Sequence, residues 1–184
     1  SMGADCGGPH RRILGHCAGA LLALRRISFS DSQILDALFN AGAIGYLAMR
    51  NATVAGAVGG CQAEVGVASA MAASAAVELM GGSPVQCLDA ASTVLMNTLG
   101  LVCDPIGGLV ECPCQGRNAA GAANALTAAE IALSGVRQLI PFDEMLDAMY
   151  AVGRRLPQEL RETAMGGCAV TPSGCSAFCS GCMD

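Results

Sequence analysis

Between Ser30 and Arg50 the apolar residues Ile34, Leu35, Leu38, Phe39 and Ala41 recur every three or four positions, the period of a helix with one buried face. Ser30-Asp31-Ser32-Gln33 in front of them reads as a capping box, so this helix is expected to run from Ser30 to about Met49. The Gly/Ala-rich passage from Asn51 to Gly60 predicts a break. A second long helix follows from about Cys61 to Met80 and stops at Gly81-Gly82. Ser83-Pro84-Val85-Gln86 opens a third, with Ser as N-cap, Pro at the first helical position and Gln reaching back, ending near Asn97. Residues 101–118 are turn-like. Helices are then expected at Ala119–Ser134, from Pro141 to about Arg155, and briefly at Pro157–Ala164, with a further short apolar one at Ala18–Arg26. No stretch alternates as a strand does, so the fold class is all-α: a compact bundle of buried, Ala/Gly-rich helices with a site at helix ends and turns.

Three regions follow: an irregular segment over residues 1–17, a helical domain over 18–165, and a flexible tail over 166–184 rich in Cys, Gly and Ser. The opening Ser-Met-Gly looks like a cloning remnant and is set aside.

Composition narrows the classes. In 184 residues, 53% are hydrophobic, 14% charged and 3% aromatic, with 24 glycines; small apolar side chains suit closely packed helices better than a sandwich. The uncharged stretch from Val65 to Val77, closed by Glu64 and Glu78, is too short for the roughly 20 apolar residues of a membrane span. With no secretory start, a soluble, cytoplasmic protein is expected, and the sequon at Asn51-Ala52-Thr53 carries little weight. The net charge of −5 argues against nucleic acid. All ten basic residues are Arg. Without Lys the chain can neither form the Schiff base of pyridoxal phosphate nor build a P-loop, so no PLP is expected.

Eleven cysteines remain. Cys61 follows Gly59-Gly60 at an expected helix start, where the dipole and unpaired N–H groups would favour a thiolate. Cys103 precedes Asp104-Pro105 in a turn, and Cys114 follows Pro113 shortly before another helix. Thiolates so placed suit a soft metal, zinc or an iron–sulfur cluster. His10 and His16 beside Cys6 and Cys17 could complete a zinc site, but Cys6, Cys17, Cys87 and Cys112 read better as small buried hydrophobes. On spacing alone a cluster and inert thiols stand level. Glu64, three residues past Cys61, is either an acid–base or supporting group or a plain helix charge. Arg117 could fork onto a carboxylate, Asn118 could assist it or act as an N-cap, and Asp104 shapes an Asp-Pro turn. The methionines at 71, 80, 96, 145 and 149 are core filling, and Arg154-Arg155 a solvated helix end.

The text around these residues resembles a known family. Ala41-Gly42-Ala43-Ile44-Gly45, the run from Gly60 to Ala68 (GCQAEVGVA), Leu99 to Pro105 (LGLVCDP), Val110 to Asn118 and Asn124 to Ala129 (NALTAA) are similar to the catalytic α domain of iron–sulfur-dependent bacterial-type L-serine dehydratases. The likeness runs from about Ala20 to Thr171. It implies a [4Fe–4S] cluster on Cys61, Cys103 and Cys114, with one iron open to substrate. It also implies loss of water from L-serine to give pyruvate and ammonia, a step of amino-acid catabolism that feeds gluconeogenesis. A related cysteine desulfidase, or a cluster-binding module inactive by itself, shares the same motifs. Members carry an upstream β domain with a serine-binding loop, so turnover is expected to need that domain, a partner or a homo-oligomer. Residues 1–17 read differently from the family, and Val58 stands where members often have an acid. Arg117, Asn118 and Glu64 are the candidate substrate contacts, and the proton-abstracting base is not evident. Among the tail thiols at 168, 175, 179 and 182, Cys182 has the longest reach and is the candidate fourth ligand.

Overall fold

The computed structural model describes residues 29–109 and 111–178. The helix expected at Ala18–Arg26, the His10/His16 site and Cys182 lie outside them. The described residues are helical with no strand; the elements are α1 (Asp31–Asn51), a single turn α2 (Gly56–Gly59), a wide π turn (Gln62–Gly66), α3 (Val67–Leu79), α4 (Pro84–Thr98), α5 (Cys114–Leu133), α6 (Phe142–Arg155) and α7 (Pro172–Phe178). Three short 3-10 turns, Ile106–Gly108, Gln158–Leu160 and Gly167–Val170, connect them. No helix among the described residues is long and apolar enough to cross a membrane.

The two N-terminal signals act as expected. Ser30 Oγ accepts the Gln33 N–H while Gln33 Oε1 accepts the Ser30 N–H, and Ser83 and Gln86 repeat the arrangement at α4. Each box satisfies two of the donors a helix start leaves unpaired. Gln86 also donates through Nε2 to the Ala132 carbonyl (2.9 Å), tying the start of α4 to the end of α5. At the other end of the pair Asn97 donates to Asn124 (2.8 Å), so α4 and α5 run antiparallel.

Helix α3 is the centre of the bundle. Every residue from Cys61 to Val77 is buried, and α1, α4 and α5 pack around it. That explains its composition: a helix covered on all faces has no polar side, and Ala and Ser let three neighbours approach its backbone. Leu95, Phe142, Met145, Leu146 and Met149 supply the bulk that the alanines lack. Ser92 Oγ donates to Ile140 O (2.7 Å) and Arg137 Nε to Asp89 Oδ2 (2.6 Å), which pins the α5–α6 connection against α4.

The structure differs from the periodicity in four places. The helix expected from Cys61 opens with the π turn, where the Gln62 N–H donates to Leu101 O of the neighbouring loop. Helix α5 starts at Cys114, five residues before the expected Ala119, so Asn118 is inside the helix and is not its N-cap. Residues 157–164 form only the 3-10 turn. Glu162 and Ala164 adopt positive φ (65° and 56°), and the Glu162 N–H bonds to Cys103 O (2.7 Å) instead of continuing a helix. Of the tail, residues 167–178 form a 3-10 turn and α7, which packs on the turn Ile106–Gly108.

Candidate metal centre

Three separate segments deliver the thiols. Cys61 sits between Gly60 and the π turn. Gly60 has φ of +76°, and a Cβ there would lie 2.7 Å from the Leu101 carbonyl, so only glycine lets the Cys61 segment close onto the 101–103 loop. Cys103 is on that loop, clamped by Cys103 N–H to Leu160 O (2.9 Å) and by the Glu162 N–H to Cys103 O. Cys114 is the first residue of α5. Cys61, Cys103 and Cys114 are 1%, 0% and 2% exposed. The Cys61 thiol is in hydrogen-bonding contact with both Cys103 and Cys114. The sulfurs of Cys61 and Cys103 and a carboxylate oxygen of Glu64 all lie within 4.8 Å of one another. Cys112, two residues from Cys114, is exposed, and Cys87 is buried elsewhere, 3.7 Å from Asn40 Nδ2.

The pocket is dry and tightly walled. Val65 and Leu101 pack on Cys61 and Cys103. Gly56 backs the site so closely that a Cβ would stand 3.0 Å from Glu64 Oε2 and 3.2 Å from Cys103 Sγ. The contact with Cys103 and burial together push the Cys61 thiol up to about 12, against the opposing pull of Cys114 and Arg117. The Cys61 thiol therefore keeps its proton unless a cation enters. Three sulfurs with one carboxylate form a donor set that a soft metal centre would fit.

The source of positive potential differs from the sequence expectation. The Gln62 N–H donates to Leu101 O (3.0 Å) and the Ala63 N–H to Gly60 O (3.1 Å), so these amides of the helix start are already engaged. Arg117 stands in their place. From the first turn of α5 its Nη1 donates to Asp104 Oδ1 (2.5 Å) and Val102 O (3.0 Å) and points at Cys61 Sγ from 4.0 Å. Burial works against its charge, but Asp104 and Cys61 outweigh it and raise the guanidinium above its ordinary value. Asp104 is buried in turn. Burial alone would raise its carboxyl, yet the Cys168 backbone N–H and Arg117 hold it below the usual range. Next along α5, Asn118 Oδ1 is buried with no hydrogen-bond partner.

Beside the thiols opens a cleft of about 260 Å³, bordered by Val65, Leu101, Arg117, Thr98, Asn97 and Asn124. Val65, Leu101 and Arg117 belong to both cleft and thiol pocket, so a small molecule in the cleft would lie against the centre's wall.

Two residues were not singled out from sequence as parts of the site. Gln62, 0% exposed, donates Nε2 to Met149 O (2.9 Å) and accepts the Gly100 N–H on Oε1 (2.8 Å), joining the Cys61 turn to α6 and to the loop that carries Cys103. A lone amide in an otherwise apolar helix was the available signal. Gly56 left none beyond its place in a glycine-rich run.

A helical bundle that brings thiols, a carboxylate and a guanidinium together beside a cleft is, as a class, one whose side chains could hold a soft metal ion. The comparisons narrow that class. Residues 14–169 match the family model of the serine dehydratase alpha chain, and the chain belongs to that family. It is 50% identical to the probable L-serine dehydratase alpha chain of Bacillus subtilis over 175 residues, covering 95% of this chain and 58% of that relative. Identity is 47% to the Latilactobacillus sakei counterpart, covering 84% of it, and 46% to the L-serine dehydratase alpha chain of Peptoniphilus asaccharolyticus, covering 60%. The chain therefore spans about three fifths of two of these relatives.

Proposed function

We propose that this chain is the cluster-holding portion of an L-serine dehydratase, with Cys61, Cys103 and Cys114 as ligands of a [4Fe–4S] cluster. The observation that carries the reading is the contact of Cys61 with both other thiols, in a dry pocket whose wall is also the wall of a cleft. Bound there, the cluster would supply Lewis acidity for a hydroxyl, an otherwise poor leaving group.

The chain's own residues supply binding and exclusion of water. Arg117 borders the cleft and can receive the substrate carboxylate on donors not used by Asp104, as a guanidinium fork does. Asn118 Oδ1 is an acceptor suited to the ammonium or hydroxyl of serine. Glu64, with a carboxylate oxygen within 4.8 Å of the Cys61 and Cys103 sulfurs, is the third proposed contact. Val65 and Leu101 keep bulk water from the thiols. Net chemistry is loss of water from L-serine to aminoacrylate, whose imine tautomer takes up water to give pyruvate and ammonia. The base for the α-proton is assigned to a β domain, a partner chain or a second copy, and the setting to the cytoplasm. Cys182, outside the described residues, is the proposed fourth thiolate that would help hold the cluster.

Anaerobic reconstitution with iron and sulfide tests the reading. Four irons and four sulfides per chain are expected, with Cys61→Ser, Cys103→Ser and Cys114→Ser each falling well below that. Full iron retention in any one of the three removes that residue from the ligand set. Zinc and no sulfide after anaerobic purification would overturn the cluster. Pyruvate from serine, measured after supplying the β portion of a relative, tests the activity. Release of sulfide from cysteine with none from serine would make it a desulfidase.

A further inference from the structure

We infer that Asp104 is a positioning residue that aims Arg117 at the thiol centre, and that the C-terminal turn Gly167–Val170 holds Asp104 in place. The inference rests on the cluster reading above and extends it to residues 64 positions away from Asp104.

The carboxylate of Asp104 is 2% exposed, and its two oxygens serve different elements. Oδ1 accepts Arg117 Nη1 from α5, and Oδ2 accepts the Cys168 N–H (2.6 Å) from the turn. The turn is shaped for that contact. Gly167 has φ of +61°, and a Cβ there would come within 2.8 Å of both Cβ and Cγ of Asp104. Thr171 Oγ1 donates to Cys168 O (2.9 Å) and accepts the Gly174 N–H (3.1 Å), so the turn is braced from its own side before it meets Asp104. Helix α7 then anchors it on the Ile106–Gly108 turn, just past Asp104-Pro105.

The consequence is electrostatic. An Arg–carboxylate pair alone nearly cancels at a distance. Here part of the carboxylate's charge is taken up by a backbone N–H on the far side, while Arg117 keeps the face toward Cys61 Sγ. Loosening the turn frees the carboxylate to swing, and Arg117 swings with it, because its other acceptors among the described hydrogen bonds are Val102 O and, at a long 4.0 Å, Cys61 Sγ. A cation beside the centre favours the more negative, reduced form of a bound cluster, so its withdrawal lowers the reduction potential.

The test uses the full chain with reconstituted cluster and two variants, Gly167→Ala and Asp104→Asn, singly and together. Gly167→Ala changes no charge and touches neither thiol nor Arg117. Gly167→Ala should shift the cluster midpoint to more negative potential, and each single variant should speed iron loss to a chelator several-fold, with helical circular dichroism unchanged. In Asp104→Asn the loss of the carboxylate's own negative charge opposes the shift in potential. The double variant should lose iron no faster than the faster single one, since both cut one linkage. An unmoved midpoint in Gly167→Ala, or multiplying effects in the double variant, overturns the inference. The metal-free chain gives a separate reading. The Arg117 guanidinium N–H signals in NMR should be slow to exchange in wild type and lost in Gly167→Ala; their persistence also overturns it. Failure of wild type to assemble any cluster counts against the function proposed above, and the NMR arm then decides this inference alone.

Discussion

Replacing Gln62 with leucine removes two hydrogen bonds at nearly constant side-chain volume. Nε2 no longer reaches Met149 O and Oε1 no longer accepts the Gly100 N–H. Met149 O keeps its place in the α6 ladder, so the group left stranded is the Gly100 N–H. Two net hydrogen bonds at about 1 kcal/mol each, the one to Met149 O wholly buried, with up to about 1 kcal/mol more for the half-buried Gly100 N–H left without its partner, give a loss of about 2–3 kcal/mol. At a urea slope of roughly 2 kcal/mol/M the unfolding midpoint falls by about 1–1.5 M. The chain contains its own control. Gln86 makes the same kinds of bond, Nε2 to Ala132 O and Oε1 from the Ser83 N–H, but at a half-buried helix start where water replaces what is lost. Gln86→Leu should cost about 1 kcal/mol. Urea unfolding of the metal-free protein followed by circular dichroism compares the two. Equal midpoints for Gln62→Leu and Gln86→Leu would refute the argument that burial sets the cost. The Gln62 variant should also release iron faster, since Gln62 joins the Cys61 turn to the loop of Cys103.

Three further outcomes are expected. Ser83→Ala breaks the α4 capping box and should lower stability by about 1 kcal/mol in the same unfolding assay. Gly56→Ala drives a methyl toward Glu64 and Cys103, so iron uptake on reconstitution should drop while helical circular dichroism stays near wild type. Burial raises the Cys87 thiol above its ordinary value of 9.0, so its reactive thiolate appears only at higher pH. Alkylation mapped by mass spectrometry at neutral pH should therefore label exposed Cys112 long before Cys87.

Much of the fold was legible in the chain because its signals are local. The capping boxes at Ser30/Gln33 and Ser83/Gln86 each lie within four residues, and Gly81-Gly82 ends α3 where it stands. The same holds for the thiols: turns and helix starts beside Cys61, Cys103 and Cys114 marked them, and the family text around them singled out those three from eleven. What stayed hidden depends on partners far along the chain. Asn118 could pass for an N-cap until α5 was seen to begin at Cys114. Gln62 answers to Gly100 and Met149, 38 and 87 residues away. Asp104 looked like a turn residue because its second partner, Cys168, is 64 residues on. Periodicity reports which face of a helix is apolar; it carries no record of which distant polar group a buried side chain will meet. Sequence by itself marked most of the helices and, through the family text, pointed to Cys61, Cys103 and Cys114. Tertiary structure alone decided that Arg117, held between Asp104 and Val102, is the cation that faces Cys61, because only packing brings α5, the 101–104 loop and the C-terminal turn to one point.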